Sequence, residues 1–158
     1  MLVRGGRLRY NGVQKKTKKE HGMTEVFEII PQAESVAVYS DGAKSEFPAG
    51  STEFAAIVSG WTKMTEGARQ MPAFGVSIDK LTREEMKTGN WMEFHFSPAQ
   101  HSNGLPFDSL LMTVRAEYRG VNLVRGWEGL YQGRCIYVDL GGGDMSALSA
   151  ALEGIRIE

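Results

Sequence analysis

Residues 110–140 read LLMTVRAEYRGVNLVRGWEGLYQGRCIYVDL, and the alternation and turn signals within them decide the fold class. Leu110, Met112, Val114, Ala116 and Tyr118 alternate with Leu111, Thr113, Arg115 and Glu117, the period-two pattern of a strand with one apolar face. Arg119-Gly120 turns the chain into Val121 to Val124, and Gln132-Gly133 turns Leu130-Tyr131 into Arg134 to Leu140. Strands joined by turns this short must be antiparallel neighbours, because a parallel partner needs a crossover of a dozen or more residues. The stretch therefore predicts an α+β domain with a mostly antiparallel, hairpin-rich sheet, not a doubly wound fold.

Working towards the N-terminus, Trp91 to Phe96 repeats the strand pattern, with Met92, Phe94 and Phe96 on one face and Trp91, Glu93 and His95 on the other. Ser35–Ser40 and Ala43–Phe47 flank Asp41-Gly42, a dipeptide that tolerates the positive φ of a tight hairpin turn. There Val36, Val38 and Ser40 oppose Ala37 and Tyr39, and the pattern does not settle which face is buried. Val26–Ile30, ended by Pro31, reads as a first strand, and Ala73–Ile78 as another whose Phe74, Val76 and Ile78 face inward. Phe54, Ile57, Val58, Trp61 and Met64 recur at helical spacing behind a Ser51 or Thr52 cap, predicting one long amphipathic helix over about 52–67 with Trp61 in the core. Thr82-Arg83-Glu84-Glu85 matches a capping box for a short helix near 83–88, and Asp144 caps another near 144–152.

Net charge is unevenly distributed. Residues 1–22 hold seven basic side chains against Glu20, whereas 23–158 hold 11 basic and 18 acidic ones. The first 22 residues have too few apolar side chains to repay the entropy of ordering, so a flexible basic tail is expected, with one globular domain over 23–158. Lys19-Glu20 can be encoded as AAG-GAG, a ribosome-binding purine run at a suitable distance from Met23. Met23 is accordingly expected to be the native start, and an intact native mass that includes residues 1–22 would contradict this. A nucleic-acid-binding arm is the alternative for this tail; the acidic remainder argues against nucleic acid as a partner of the folded domain.

Cys135 stands alone, which excludes an internal disulfide and the common zinc patterns and suits a reducing, cytoplasmic setting. No apolar run approaches the ~20 residues of a membrane span.

Two groups of residues carry candidate chemistry. Glu93, His95, His101 and Asp108 form the most ionisable neighbourhood, compatible with a general base or a divalent metal in a small hydrolase-like enzyme, although their spacing matches no specific motif. Arg115, Arg125, Trp127, Tyr131 and Arg134 combine the residue types that dominate protein-binding hot spots. Gly141-Gly142-Gly143 lacks the lysine and spacing of a phosphate loop, and Cys135 and Ser109 lack nucleophile signatures. The expectation is a binding or assembly domain that acts through an exposed sheet face on a protein partner or a second copy, with no cofactor. Catalysis is the alternative.

Overall fold

The structure, a computed structural model, describes residues 25–73 and 75–155 of the 158-residue chain. The basic segment 1–22, the expected start at Met23 and Phe74, expected to face inward, lie outside the described residues.

Asp41 and Gly42 take φ of +48° and +88°, the left-handed backbone a two-residue hairpin turn requires. They join β1 (Ser35–Ser40) to β2 (Ala43–Pro48), with Ser40 opposite Ala43. The later strands are β3 (Arg69–Met71), β4 (Val76–Ile78), β5 (Asn90–Ser102), β6 (Leu105–Thr113), β7 (Gly120–Trp127), β8 (Leu130–Arg134) and β9 (Ile136–Asp139). All pair antiparallel in the order β2-β1-β5-β6-β7-β8-β4, and β9 pairs with β7 and β3. The α+β class with an antiparallel sheet is therefore the observed one.

The turn expected at Gln132-Gly133 sits elsewhere. Glu128 and Gly129, with φ of +56° and +84°, connect β7 to β8. Gly133, at φ +75°, instead lies between two registers on one edge of β7: Tyr131 faces Gly126, whereas Ile136 faces Leu123. Bulged strands gain extra residues in this way, and glycine tolerates the backbone required. A Cβ at Gly133 would also fall 2.5 Å from Arg125 Nη2.

Four helices complete the described residues: α1 (Val26–Ile29), running into a 3-10 turn over Ile30–Gln32, α2 (Thr52–Met64), α3 (Asp79–Glu85) and α4 (Ser146–Glu153). The strand expected over Val26–Ile30 is helical. Val26, Ile29 and Ile30 are all buried at helical spacing, and a five-residue stretch with four apolar side chains does not by itself distinguish the two periods. α2 begins as expected, Ser51 Oγ accepting from Phe54 N at 3.1 Å, but it stops at Met64, short of the expected end near 67, and is the longest helix among the described residues. α3 starts at Asp79 rather than near 83, because Thr82 is no cap: its hydroxyl is buried and bonded to Ser77 Oγ at 2.9 Å. α4 follows Asp144, whose Oδ1 accepts from Ser146 N and Oγ at 3.0 and 2.6 Å.

α1, α2 and α4 cover one face of the sheet. Their Val26, Ile57, Trp61 and Leu148 pack with Val36, Val38, Met92, Phe94, Leu110, Met112 and Val138, each fully buried apolar side chain contributing roughly 1.5–3 kcal/mol. Trp61 meets Phe94 edge-on at 6.3 Å. α2 and α4 approach closely because Gly60 has no side chain; a Cβ there would lie 3.1 Å from that of Ala151. The opposite, outer face carries a smaller cluster of Met86, Leu111, Val124, Tyr131 and Cys135 beside α3. The inward orientation expected for Val76 and Ile78 is reversed, since Ser77 is the buried residue and both apolar neighbours face solvent. The hydrogen bond to Thr82 fixes that parity. No helix among the described residues is long and apolar enough to cross a membrane.

Candidate functional site on the outer sheet face

Strand register builds the site. Ser35, His95, Ser109, Gly126 and Tyr131 are successive partners across β1, β5, β6, β7 and β8. Two residues along β5, the next row is Glu46, Ala37, Glu93, Leu111 and Val124. Residues two apart on a strand share a face, so Glu93 and His95 lie side by side on the outer face, as the alternation of Trp91–Phe96 predicts. Small side chains hollow the first row: a Cβ at Gly126 would fall 2.0 Å from Ser109 Oγ. The result is a cleft of about 320 Å³ whose wall includes Tyr39, Lys44, Asp108, Ser109 and Trp127 around Glu93 and His95. A second hollow of about 230 Å³ shares Tyr39, Arg83 and Tyr131 with it.

Glu93 is the centre of this arrangement. It is only 4% exposed, and Tyr131 Oη donates to its Oε2 at 2.5 Å. Tyr39 Oη donates to Oε1 at 3.5 Å. His95 Nε2 lies 3.4 Å from the same Oε1 and 3.9 Å from Glu46 Oε2, yet forms no hydrogen bond of good geometry. Burial, then the adjacent Glu93 carboxylate, pushes the Tyr39 phenol up to about 12 and raises that of Tyr131 still further. Both hydroxyls remain protonated donors throughout the neutral range.

The N-terminus of α3 holds the Tyr131 side of the cleft. Asp79 Oδ1 accepts from Tyr131 N at 2.9 Å and from Arg83 Nε at 3.0 Å. These two bonds, the backbone N–H first, hold the Asp79 carboxyl below the usual range, and Asp79 in turn raises Arg83. Arg83 also donates through Nη2 to Gly129 O at 3.1 Å and lies 4.8 Å from the Tyr131 ring centroid. Its charge is thus largely committed, and Lys44 Nζ has Glu46 Oε1 at 3.8 Å.

The cleft joins members of both sequence-derived groups, Glu93, His95 and Asp108 from one and Trp127 and Tyr131 from the other. His101 does not line it: the β5–β6 register shifts between His95 and Gln100, and His101 pairs with Pro106 beyond the bulge. Arg125 is 7% exposed, and its guanidinium donates to Pro106 O at 2.5 Å and Arg134 O at 2.7 Å. Burial pushes it down from the usual arginine range. It ties β6, β7 and β8 together and offers no exposed contact. Arg115 pairs with Glu117 at 3.1 Å on the surface, and Arg134 lines a separate hollow with Gln70, Met71 and Ile136. Tyr39, Lys44, Arg83 and Ser109 were not anticipated. The signal for Tyr39 was its alternation with Val36 and Val38, which by itself left both faces open.

Among the described residues, no three or more His, Cys, Asp or Glu are grouped to hold a metal ion. No family model matches the chain, and no match is found among curated proteins or solved structures.

Proposed function

We propose that the domain is a binding module, not an enzyme, and that its outer-face cleft receives a lysine or arginine side chain of a protein partner. The observation that carries this reading is the buried Glu93 carboxylate beside an open cleft walled by aromatic rings. Desolvating a carboxylate costs several kcal/mol, and an inserted cationic side chain would offset part of that cost at Glu93. Trp127 supplies a face suited to a cation and to hot-spot contacts, whereas Lys44 and Arg83 already lie 5.8 and 4.8 Å from the Tyr39 and Tyr131 ring centroids. Charge favours the same ligand: with their ion-pair partners included, four carboxylates (Glu46, Asp79, Glu93 and Asp108) stand against the cations Lys44 and Arg83. The volume of about 320 Å³ falls at the small end of ligand sites, roughly 300–1,000 Å³, and suits a single inserted side chain. The lone, buried Cys135 supports a reducing, cytoplasmic setting.

The test is an NMR titration that follows the indole N–H signals of Trp61, Trp91 and Trp127. Short arginine- and lysine-containing peptides are expected to shift the Trp127 signal saturably and leave buried Trp61 unmoved, with no response to a glutamate peptide. An equal response to the acidic peptide, or none to the basic ones, would contradict the proposal.

Hydrolysis is the second reading, favoured because Ser109 is the cross-strand partner of His95, which lies 3.4 Å from Glu93. Covalent labelling of Ser109 by a fluorophosphonate would support it, and an unlabelled Ser109 would retire it.

A further inference from the structure

β4 ends the sheet, and none of the described residues pairs with its outer edge. Its Val76 and Ile78 are 71% and 59% exposed, and nearby Leu81 and Leu130 are 59% and 48% exposed. Val76 lies opposite Arg134 and Ile78 opposite Gln132, so Val76, Ile78 and Leu130 share one face of the β4–β8 ladder. Leu81 belongs to α3, which packs on the other face through the Ser77–Thr82 hydrogen bond. Proteins normally guard an edge by keeping it very short, as the three-residue β4 is, or with lysine, proline, a bulge or a covering segment. Val76-Ser77-Ile78 has none of these side chains, and no described segment pairs with its outer edge.

We propose that this edge pairs with the same edge of a second copy of the chain, forming a two-fold dimer with one continuous antiparallel sheet. Self-complementarity supports this occupant. Antiparallel pairing about Ser77 sets each Val76 against Ile78 of the other copy and reciprocally, the isologous contact that two-fold symmetry requires. The area is adequate as an interface core. Val76, Ile78 and Leu130, the three that share a face, expose roughly 300 Å² together, the lower end of the scale of a functional patch and over a third of the ~800 Å² per partner of a standard interface. Charge does not oppose it: Arg134 lies one strand in from the edge, which separates its two copies by about three strand spacings, ~14 Å, beyond the ~8 Å screening length.

The test is light scattering on the full chain across concentration. The mass is expected to rise from 17.4 kDa towards twice that value, whereas Ile78→Lys stays monomeric with an unchanged far-UV spectrum. A wild type that remains monomeric to about 1 mM overturns the proposal, as does an Ile78→Lys variant that dimerises equally well. Amide exchange gives a readout that needs no variant. Exchange at residues 76–78 should slow as concentration rises; exchange independent of concentration, including protection already complete in a monomer, means another occupant or none and overturns it.

Discussion

Replacing both members of the Glu93–Tyr131 pair separates what the buried carboxylate does for stability from what it does for binding. Tyr131→Phe alone removes the hydroxyl at 2.5 Å and leaves a 4%-exposed carboxylate with only the long Tyr39 bond and the imidazole. Hydrogen bonds to charged groups contribute about 1.5–3 kcal/mol, so the single variant should lose about 2 kcal/mol. For a domain of this size that loss lowers Tm by roughly 4–8 °C. Glu93→Met in the same background removes the stranded charge and fills its space with an unbranched apolar chain. Tyr39 also loses an acceptor, but it is half-buried and its hydroxyl can turn to water. The double variant Glu93→Met/Tyr131→Phe is therefore expected within about 1 kcal/mol of wild type, because removing both partners of a buried polar pair is close to neutral. Urea unfolding of the wild type, both single variants and the double variant gives the cycle. A double variant less stable than Tyr131→Phe would instead mean that the carboxylate is needed for the fold itself.

Alkaline pH provides an independent check. The folded-state phenols lie above their unfolded value of 10.0, so their stabilising contribution is complete below pH 10 and declines as pH rises towards about 12, the value for Tyr39. Tm should fall over that window, and less steeply in Tyr39→Phe/Tyr131→Phe; equal slopes would contradict the assignment. Gly133→Ala should lose about 2–3 kcal/mol in urea unfolding, because left-handed backbone costs a side-chain-bearing residue roughly 1–2 kcal/mol and its Cβ displaces Arg125 Nη2. Arg125→Met, which leaves Pro106 O and Arg134 O without their donor, should cost about 2–3 kcal/mol by the same measurement. Gly126→Ala puts a methyl group where Ser109 Oγ now lies, and should weaken basic-peptide binding in calorimetry by at least about tenfold.

Local alternation makes part of the site legible in the sequence. Trp91–Phe96 alternates cleanly enough to put Glu93 and His95 on the face opposite Met92 and Phe94, and the Asp41-Gly42 turn fixes the hairpin that brings Tyr39 beside them. What remained hidden depended on tertiary context. The bulge between His95 and Gln100 breaks the parity of β5 and removes His101 from the cleft, while a single side-chain bond between Ser77 and Thr82 turns Val76 and Ile78 outward against their apolar pattern. Arg83 resembled part of a capping box, yet it clamps Asp79 and Gly129 because α3 begins at Asp79. Arg125 carries a charge that suggests the surface, and only the neighbouring carbonyls of Pro106 and Arg134 make its burial favourable.

The proposed role of Glu93 is to receive a cationic side chain of a partner. Calorimetric titration of an arginine-containing peptide into wild type and into the folded Glu93→Met/Tyr131→Phe variant tests it most directly. Saturable binding to wild type is expected, with an affinity at least about tenfold weaker for the variant, in keeping with the loss of a charged hydrogen-bonding partner. Unchanged affinity would contradict it.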